Sequence, residues 1–177
     1  MKQTLYLFGQ LQDRDIDWMI RRGRKQQLAP GTTIIEEGKP LQNLYFVLEG
    51  SLGVWVKAQG DRMIARLGSG EVVGEMSFVD ARPPSATVRA VTKAVVLAFP
   101  RDEFAAHLEA DTAFAAHFYR GVAIFLSDRL REARSQKQGA VRREEDREED
   151  ELDLNVLDNI HLAGSRFQEV LQRLLAS

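Results

Sequence analysis

Apolar positions change their rhythm twice along this chain. From Asp13 to Gly23 the apolar residues Ile16, Met19 and Ile20 fall at i, i+3 and i+4. That spacing, with Asp13 as N-cap and Gly23 as stop, predicts a short helix. From Gln26 to about Phe99 the runs shorten and become β-branched: 33–35, 44–48, 52–56, 63–67, 87–91 and 94–99. Pro30-Gly31, Gly38-Lys39-Pro40, Glu49-Gly50, Gln59-Gly60-Asp61 and Gly68-Ser69-Gly70 punctuate them. Short strands at this spacing predict a sandwich or barrel. Glu49-Gly50 reads as a hairpin turn, because glycine adopts positive φ without steric cost.

After Pro100 the helical period returns. Arg101 to about Leu108 reads as a short helix, and Thr112 to about Arg134 as a longer one. In the longer helix Ala115, Phe118, Tyr119, Val122, Phe125, Leu126 and Leu130 form an apolar stripe. Gly121 inside it costs about 1 kcal/mol against alanine unless close packing requires it. Residues 142–151 hold three bases and seven acids with no core face, which reads as a solvated linker or an exposed, charge-paired helix. Beyond them, Ser165 is placed to cap a last helix carrying Phe167, Val170, Leu171 and Leu174. So short an amphipathic end must dock on the domain, on a second copy or on another protein. The organisation expected is therefore a domain over 1–135, a charged linker over 136–151 and an amphipathic tail over 152–177.

Composition narrows the chemistry. At 177 residues the chain can bury a core unaided, and a net charge of −2 argues against a dedicated nucleic-acid surface. There is no cysteine, and His107, His117 and His161 are scattered, so no metal site is expected. No nucleophile–base constellation or Gly-Lys-Ser/Thr phosphate loop appears, and no enzyme is expected. The Met1–Leu11 segment is too short and too mixed for a signal peptide or membrane span, so a cytoplasmic location is the expectation.

The stretch from Gly74-Glu75-Met76-Ser77-Phe78 through Arg82-Pro83-Pro84-Ser85-Ala86-Thr87-Val88 has the layout of a loop around a small sugar phosphate. Glu75 can accept hydrogen bonds from ribose hydroxyls, and backbone N–H groups near Ser85 and Ala86 can address a phosphate. The same glutamate can instead brace its own loop, and Ser85 and Thr87 can be ordinary turn and strand residues.

Four ordered blocks carry a resemblance: Leu28-Ala29-Pro30-Gly31 with Ile34 to Gly38, Tyr45 to Gly50, Gly70 to Phe78, and Arg82 to Ala90. Over roughly residues 5–135 the chain resembles the cyclic nucleotide-binding domain of catabolite-activator-type regulators, cyclic-nucleotide-dependent kinases and gated channels. The resemblance implies a mainly β fold with flanking helices (α+β): a double-stranded β-helix, or jelly roll, with a long closing helix and a C-terminal helical tail. It places Glu75 on the ribose 2′-hydroxyl and the ligand among Gly74, Glu75, Met76, Ser77, Ser85, Ala86 and Thr87. Cyclic AMP is the ligand it suggests first. Where the family has an arginine for the cyclic phosphate, this chain has Pro84. Losing one charge-assisted contact costs roughly 1.5–3 kcal/mol, about ten- to hundred-fold in affinity. Arg82, two residues earlier, is the substitute candidate.

By analogy with the transcription-factor branch, the long helix is expected to form a homodimer through Phe118, Val122, Phe125, Leu126 and Leu130. The residues after it lack paired helices with a basic recognition face, so no DNA binding is expected. The leading expectation is a stand-alone regulatory domain that binds a cyclic or related nucleotide and relays occupancy to a partner protein through residues 152–177. The alternative is a ligand-free interaction or assembly module, with Pro84 marking the loss of the pocket.

Overall fold

Among the described residues, eight strands build two four-stranded antiparallel sheets, and helices flank them. The computed structural model describes residues 3–60, 62–138 and 164–173. The strands are β1 Arg24–Leu28, β2 Thr33–Ile35, β3 Asn43–Glu49, β4 Leu52–Val56, β5 Arg62–Leu67, β6 Val72–Val73, β7 Thr87–Ala90 and β8 Ala94–Pro100. The helices are α1 Gln3–Gln10, α2 Asp13–Arg22, α3 Glu75–Asp80, α4 Arg101–Ala110 and α5 Thr112–Gln138, with α6 over 164–173. One sheet runs β1-β8-β3-β6 and the other β2-β7-β4-β5. This is the expected mainly β fold with flanking helices.

The central strands β3 and β8 are buried along almost their whole length, which their unbroken apolar runs explain. Phe46 and Phe99 turn toward the helices: Phe8 of α1 meets Phe46 with ring centroids 6.0 Å apart, and Phe104 of α4 meets Phe99 at 5.3 Å. β1 was not expected as a strand. Its sequence, Arg-Lys-Gln-Gln-Leu, has four exposed positions, and it pairs only with β8 as a polar sheet edge.

Three further expectations change. Glu49-Gly50 does not close a hairpin: β3 pairs with β6 and β8, whereas β4 pairs with β5 and β7. Gly50, at φ +83°, instead carries the chain from one sheet to the other, where a Cβ would collide with the Lys93 carbonyl. Asp13 is the first residue of α2 and Gln12 is its N-cap. The carboxylate of Asp15 accepts the Gln12 N–H at 2.7 Å and also contacts His117 Nδ1 at 2.8 Å, so a buried acid ties α2 to α5. Finally, 75–80 is a helix rather than part of an open loop.

α5 extends to Gln138, past the stop expected near Arg134. Its Gly121 is explained by α1: a Cβ there would lie 2.5 Å from Leu7 Cδ1 and 2.9 Å from Leu7 Cα. Phe118, Val122 and Phe125 are buried in the chain's own core, so they offer no face to a second copy. Of the stripe expected at a dimer interface, Leu126 is half-buried and Leu130 is 67% exposed. α6 docks on the domain's first helices. Val170 is fully buried, Phe167 meets Phe8 at 5.4 Å, and Arg173 pairs with Asp17 at 2.6 Å. The expected linker beyond Gln138, the tail over 152–163 and its last residues 174–177 lie outside the described residues.

Trp18 of α2 lies flat on His107 of α4, with centroids 3.7 Å apart and an interplanar angle of 5°. Desolvation by this packing holds the His107 pKa below the ordinary 6.5, reinforced by Arg22 and opposed by Asp111 and Asp15. The fold therefore favours neutral His107. Its contribution to stability is whole above 6.5 and is lost as pH falls through the folded-state pKa. An NMR titration of the His107 ring is expected to give a midpoint below 6.5; a midpoint at or above that value overturns the desolvation account. For α5, Gly121→Ala is expected to lower unfolding stability by about 1–3 kcal/mol through overpacking against Leu7, although alanine is the better helix former. Urea unfolding checks this, and an unchanged or raised midpoint refutes the close approach.

Candidate functional site

A cavity of about 250 Å³ opens between the β2-β7-β4-β5 sheet and the segment after β6. Its floor is aliphatic. Val54 and Val56 sit at alternate positions of β4 and so share one face, and Ile64, Leu67 and Val88 join them from the neighbouring strands. Its rim is formed by Gly74, Glu75 and Met76 on one side and by Pro84, Ser85 and Ala86 on the other. Among the described residues, no lysine, arginine or histidine lines it.

Backbone geometry sets the rim. Val72 and Val73 pair with β3, and Gly74 then turns the chain at φ +98°, ψ 0°, into α3. A Cβ at Gly74 would stand 3.0 Å from Leu41 Cδ1 and 3.4 Å from Ile35 Cδ1, so glycine is required by conformation and by space together. Glu75 is the first residue of α3 and is buried while lining the cavity. The opposite rim is pinned by the β2–β3 turn. The Gly38 N–H donates to the Pro84 carbonyl at 2.8 Å, and the Glu37 N–H donates to Thr87 Oγ1 at 3.1 Å.

Of the eight residues expected around a ligand, the structure brings Gly74, Glu75, Met76, Ser85 and Ala86 together at the cavity. The other three stand elsewhere. Ser77 is buried in α3 outside the lining, and Thr87 is buried and spends its hydroxyl on the Glu37 N–H. Arg82 points into solvent with its side chain 84% exposed, and its guanidinium is 3.9 Å from Asp80. Its backbone N–H is also held by Asp80, at 3.0 Å. Two prolines follow Arg82 and restrict its backbone, so it does not take the place that Pro84 leaves without charge. The aliphatic floor was not singled out from sequence, although the i, i+2 pair Val54 and Val56 carried the signal.

Residues 25–111 match the cyclic nucleotide-binding domain family. The chain is also 31% identical to the solved N-terminal domain of a transcriptional regulator from Streptomyces coelicolor. The TM-score is 0.59, and the match covers 72% of this chain and 90% of that one. The chain belongs to the cyclic nucleotide-binding domain family. It is 32% identical over 129 residues to the cyclic AMP receptor protein of Thermus thermophilus, spanning 72% of this chain and 58% of the receptor. It is 34% identical over 121 residues to a voltage-gated delayed rectifier potassium channel of Rattus norvegicus, spanning 67% of this chain and 12% of the channel. Domains of this family are regulatory rather than catalytic, and the family supports a nucleotide-binding regulatory role for this one.

Among the described residues, no group of three or more histidine, aspartate or glutamate side chains is arranged to hold a metal ion. No described helix is long and apolar enough to cross a membrane. Within the domain, α3 ties the rim to the helices. Phe78 stands one turn beyond Glu75 and meets Phe104 of α4 at 5.5 Å and Phe118 of α5 at 5.9 Å, both edge-on.

Gly74→Ala tests the rim. The left-handed backbone and the approach of Leu41 are expected to cost about 1–2 kcal/mol of unfolding stability. Denaturant titration reads it, and a loss below a few tenths of a kcal/mol refutes the requirement for glycine.

Proposed function

We propose that this chain is a regulatory binding domain that takes a cyclic nucleotide or related nucleotide in the cup and relays occupancy to a partner protein through its C-terminal helices. The observation that carries the proposal is the open cavity itself. Its aliphatic floor suits the flat face of a base, and the Glu75 carboxylate stands at the rim where sugar hydroxyls can donate to it. At about 250 Å³ the cup lies just under the roughly 300–1,000 Å³ of drug-sized sites and suits a compact ligand.

The relay follows from the aromatic contacts. A ligand that shifts α3 moves Phe78 against Phe104 and Phe118, and thus biases α4 and α5. α6 touches α1 and α2, and α1 lies on Gly121 of α5, so the C-terminal segment is joined to the same packed body. A second reading, an assembly module without ligand, draws support from Pro84 in the cavity wall and from the exposed Tyr119 and Leu130 on α5, where a homodimer contact is open to a second copy.

Calorimetric titration of the full chain with cyclic AMP, cyclic GMP and the corresponding nucleosides decides between them. The binding reading expects saturable heat from at least one probe and a tenfold or greater loss of affinity in Glu75→Ala. It also expects slowed hydrogen exchange in α5 and α6 on binding, absent in Phe78→Ala. No heat from any probe at millimolar concentration, or binding indifferent to Glu75→Ala, overturns it. The assembly reading expects a dimer by light scattering that Leu130→Glu dissolves.

A further inference from the structure

Positive charge is concentrated where α2 hands over to β1. Four of the five residues Arg21-Arg22-Gly23-Arg24-Lys25 are cations, in a chain whose net charge is −2. Arg21 and Arg22 end α2, where the helix carbonyls favour positive charge, and Arg24 and Lys25 open the edge strand β1. All four are exposed. Lys93 joins them, since it lines one groove with Lys25, Gln27, Glu49 and Val95. Two carboxylates stand in the same region. One is Glu49 in that groove, and the other is Glu103, which meets Arg24 at 2.7 Å in a pair whose side chains are 63% and 51% exposed. The positive field is felt inside the fold, where Arg22 helps to hold the His107 pKa down. Charge of the opposite sign and similar density lies elsewhere in the chain: residues 142–151 hold seven acids and three bases.

We infer that the acidic run 144–151 docks on the basic pole at 21–25, so that the chain closes this surface with its own carboxylates. The inference is independent of the cup and of any ligand in it. Connectivity permits the contact from both ends. α6 stands on α2 with Arg166 3.4 Å from Asp13. From Asp13 to Arg22, α2 is about 14 Å long, whereas the chain between Glu151 and Arg166 extends to about 50 Å. At the other end, α5 touches α2 where His117 meets Asp15 at 2.8 Å. About 32 Å of α5 separate His117 from Gln138 and about 10 Å of α2 separate Asp15 from Arg22, against about 45 Å for residues 139–151 when extended. A single exposed ion pair contributes at most about 1 kcal/mol, so the docking depends on several pairs made together and on the tether, which supplies an effective concentration on the order of millimolar.

The chain has no cysteine, so Arg147→Cys accepts one nitroxide spin label within the run. In this full chain the amides of Arg21, Arg22, Gly23, Arg24 and Lys25 are expected to lose at least about half of their NMR intensity at about 20 mM salt and to regain it at about 1 M, where the screening length falls to about 3 Å. The amides of Trp55 and Arg89, on the other sheet, are expected to keep theirs at both salt concentrations. Arg21→Gln with Arg22→Gln is expected to remove most of the broadening, and a cooperative melt confirms that this variant is folded. Replacing the seven acids by glutamine and asparagine removes the broadening without touching the folded domain. Full intensity at 21–25 in low salt overturns the inference, as does broadening that persists at high salt or in the acid-neutralised chain. Broadening that appears only in an isotope-labelled copy mixed with the spin-labelled one also overturns it, because the contact is then between copies.

Discussion

Phe104 joins the helices of this domain to its sheet. Its ring is fully buried and makes edge contacts with Trp18 of α2, Phe78 of α3, Phe99 of β8, and Phe114 and Phe118 of α5. Each such pair contributes on the order of 0.5–1.5 kcal/mol beyond the area it buries, and the geometry is specific, since edge-to-face rings do not slide freely. One side chain thereby fixes the orientation of three helices against the sheet. An interior packed to crystal-like density does not absorb a displacement locally. The α3 rim, α4 and α5 are therefore parts of one packed unit.

The second constraint is the backbone approach at Gly121. Without a Cβ there, α1 lies against α5 closely enough to bring Leu7 into contact, and Phe8 then reaches both Phe46 and Phe167. α6 completes this layer by burying Val170 and placing Arg173 on Asp17 and Arg166 beside Asp13. Both ion pairs involve a solvent-exposed partner and are screened, so burial of Phe167 and Val170 accounts for most of the docking. The long helix is thus held on both flanks by its own chain. That holding is why Phe118, Val122 and Phe125, apolar in a pattern that suits an interface, are interior residues.

How much of this was legible in sequence depends on where hydrophobicity carried the information. Strands β3 and β8 announce themselves because both of their faces are buried. β1 does not, because an edge strand exposed at four of five positions is written in lysine, arginine and glutamine. α3 was hidden for another reason. Six residues are too few to show a helical period, and the glycine before it signalled a turn, which is also true. The rim residues Gly74, Glu75, Ser85 and Ala86 were legible as a motif, whereas Ser77 and Thr87 shared the motif but not the cavity. Sequence proximity places residues on one loop; which way each side chain turns is decided by the helix of α3 and by the Glu37 N–H that claims the Thr87 hydroxyl.

The family fold and the local chemistry pull in different directions at Pro84. The fold preserves the cup: the Gly74 turn, the buried carboxylate and the pinned wall at 84–87 are all present. Where the family resemblance implies an arginine, the wall here is a buried proline, a rigid apolar surface without charge. Here Val54, Val56 and Val88 leave the floor short, and about 250 Å³ remains open above them. The rim of that open cup is joined through Phe78 to α4 and α5, so the cavity and the closing helices belong to one packed body.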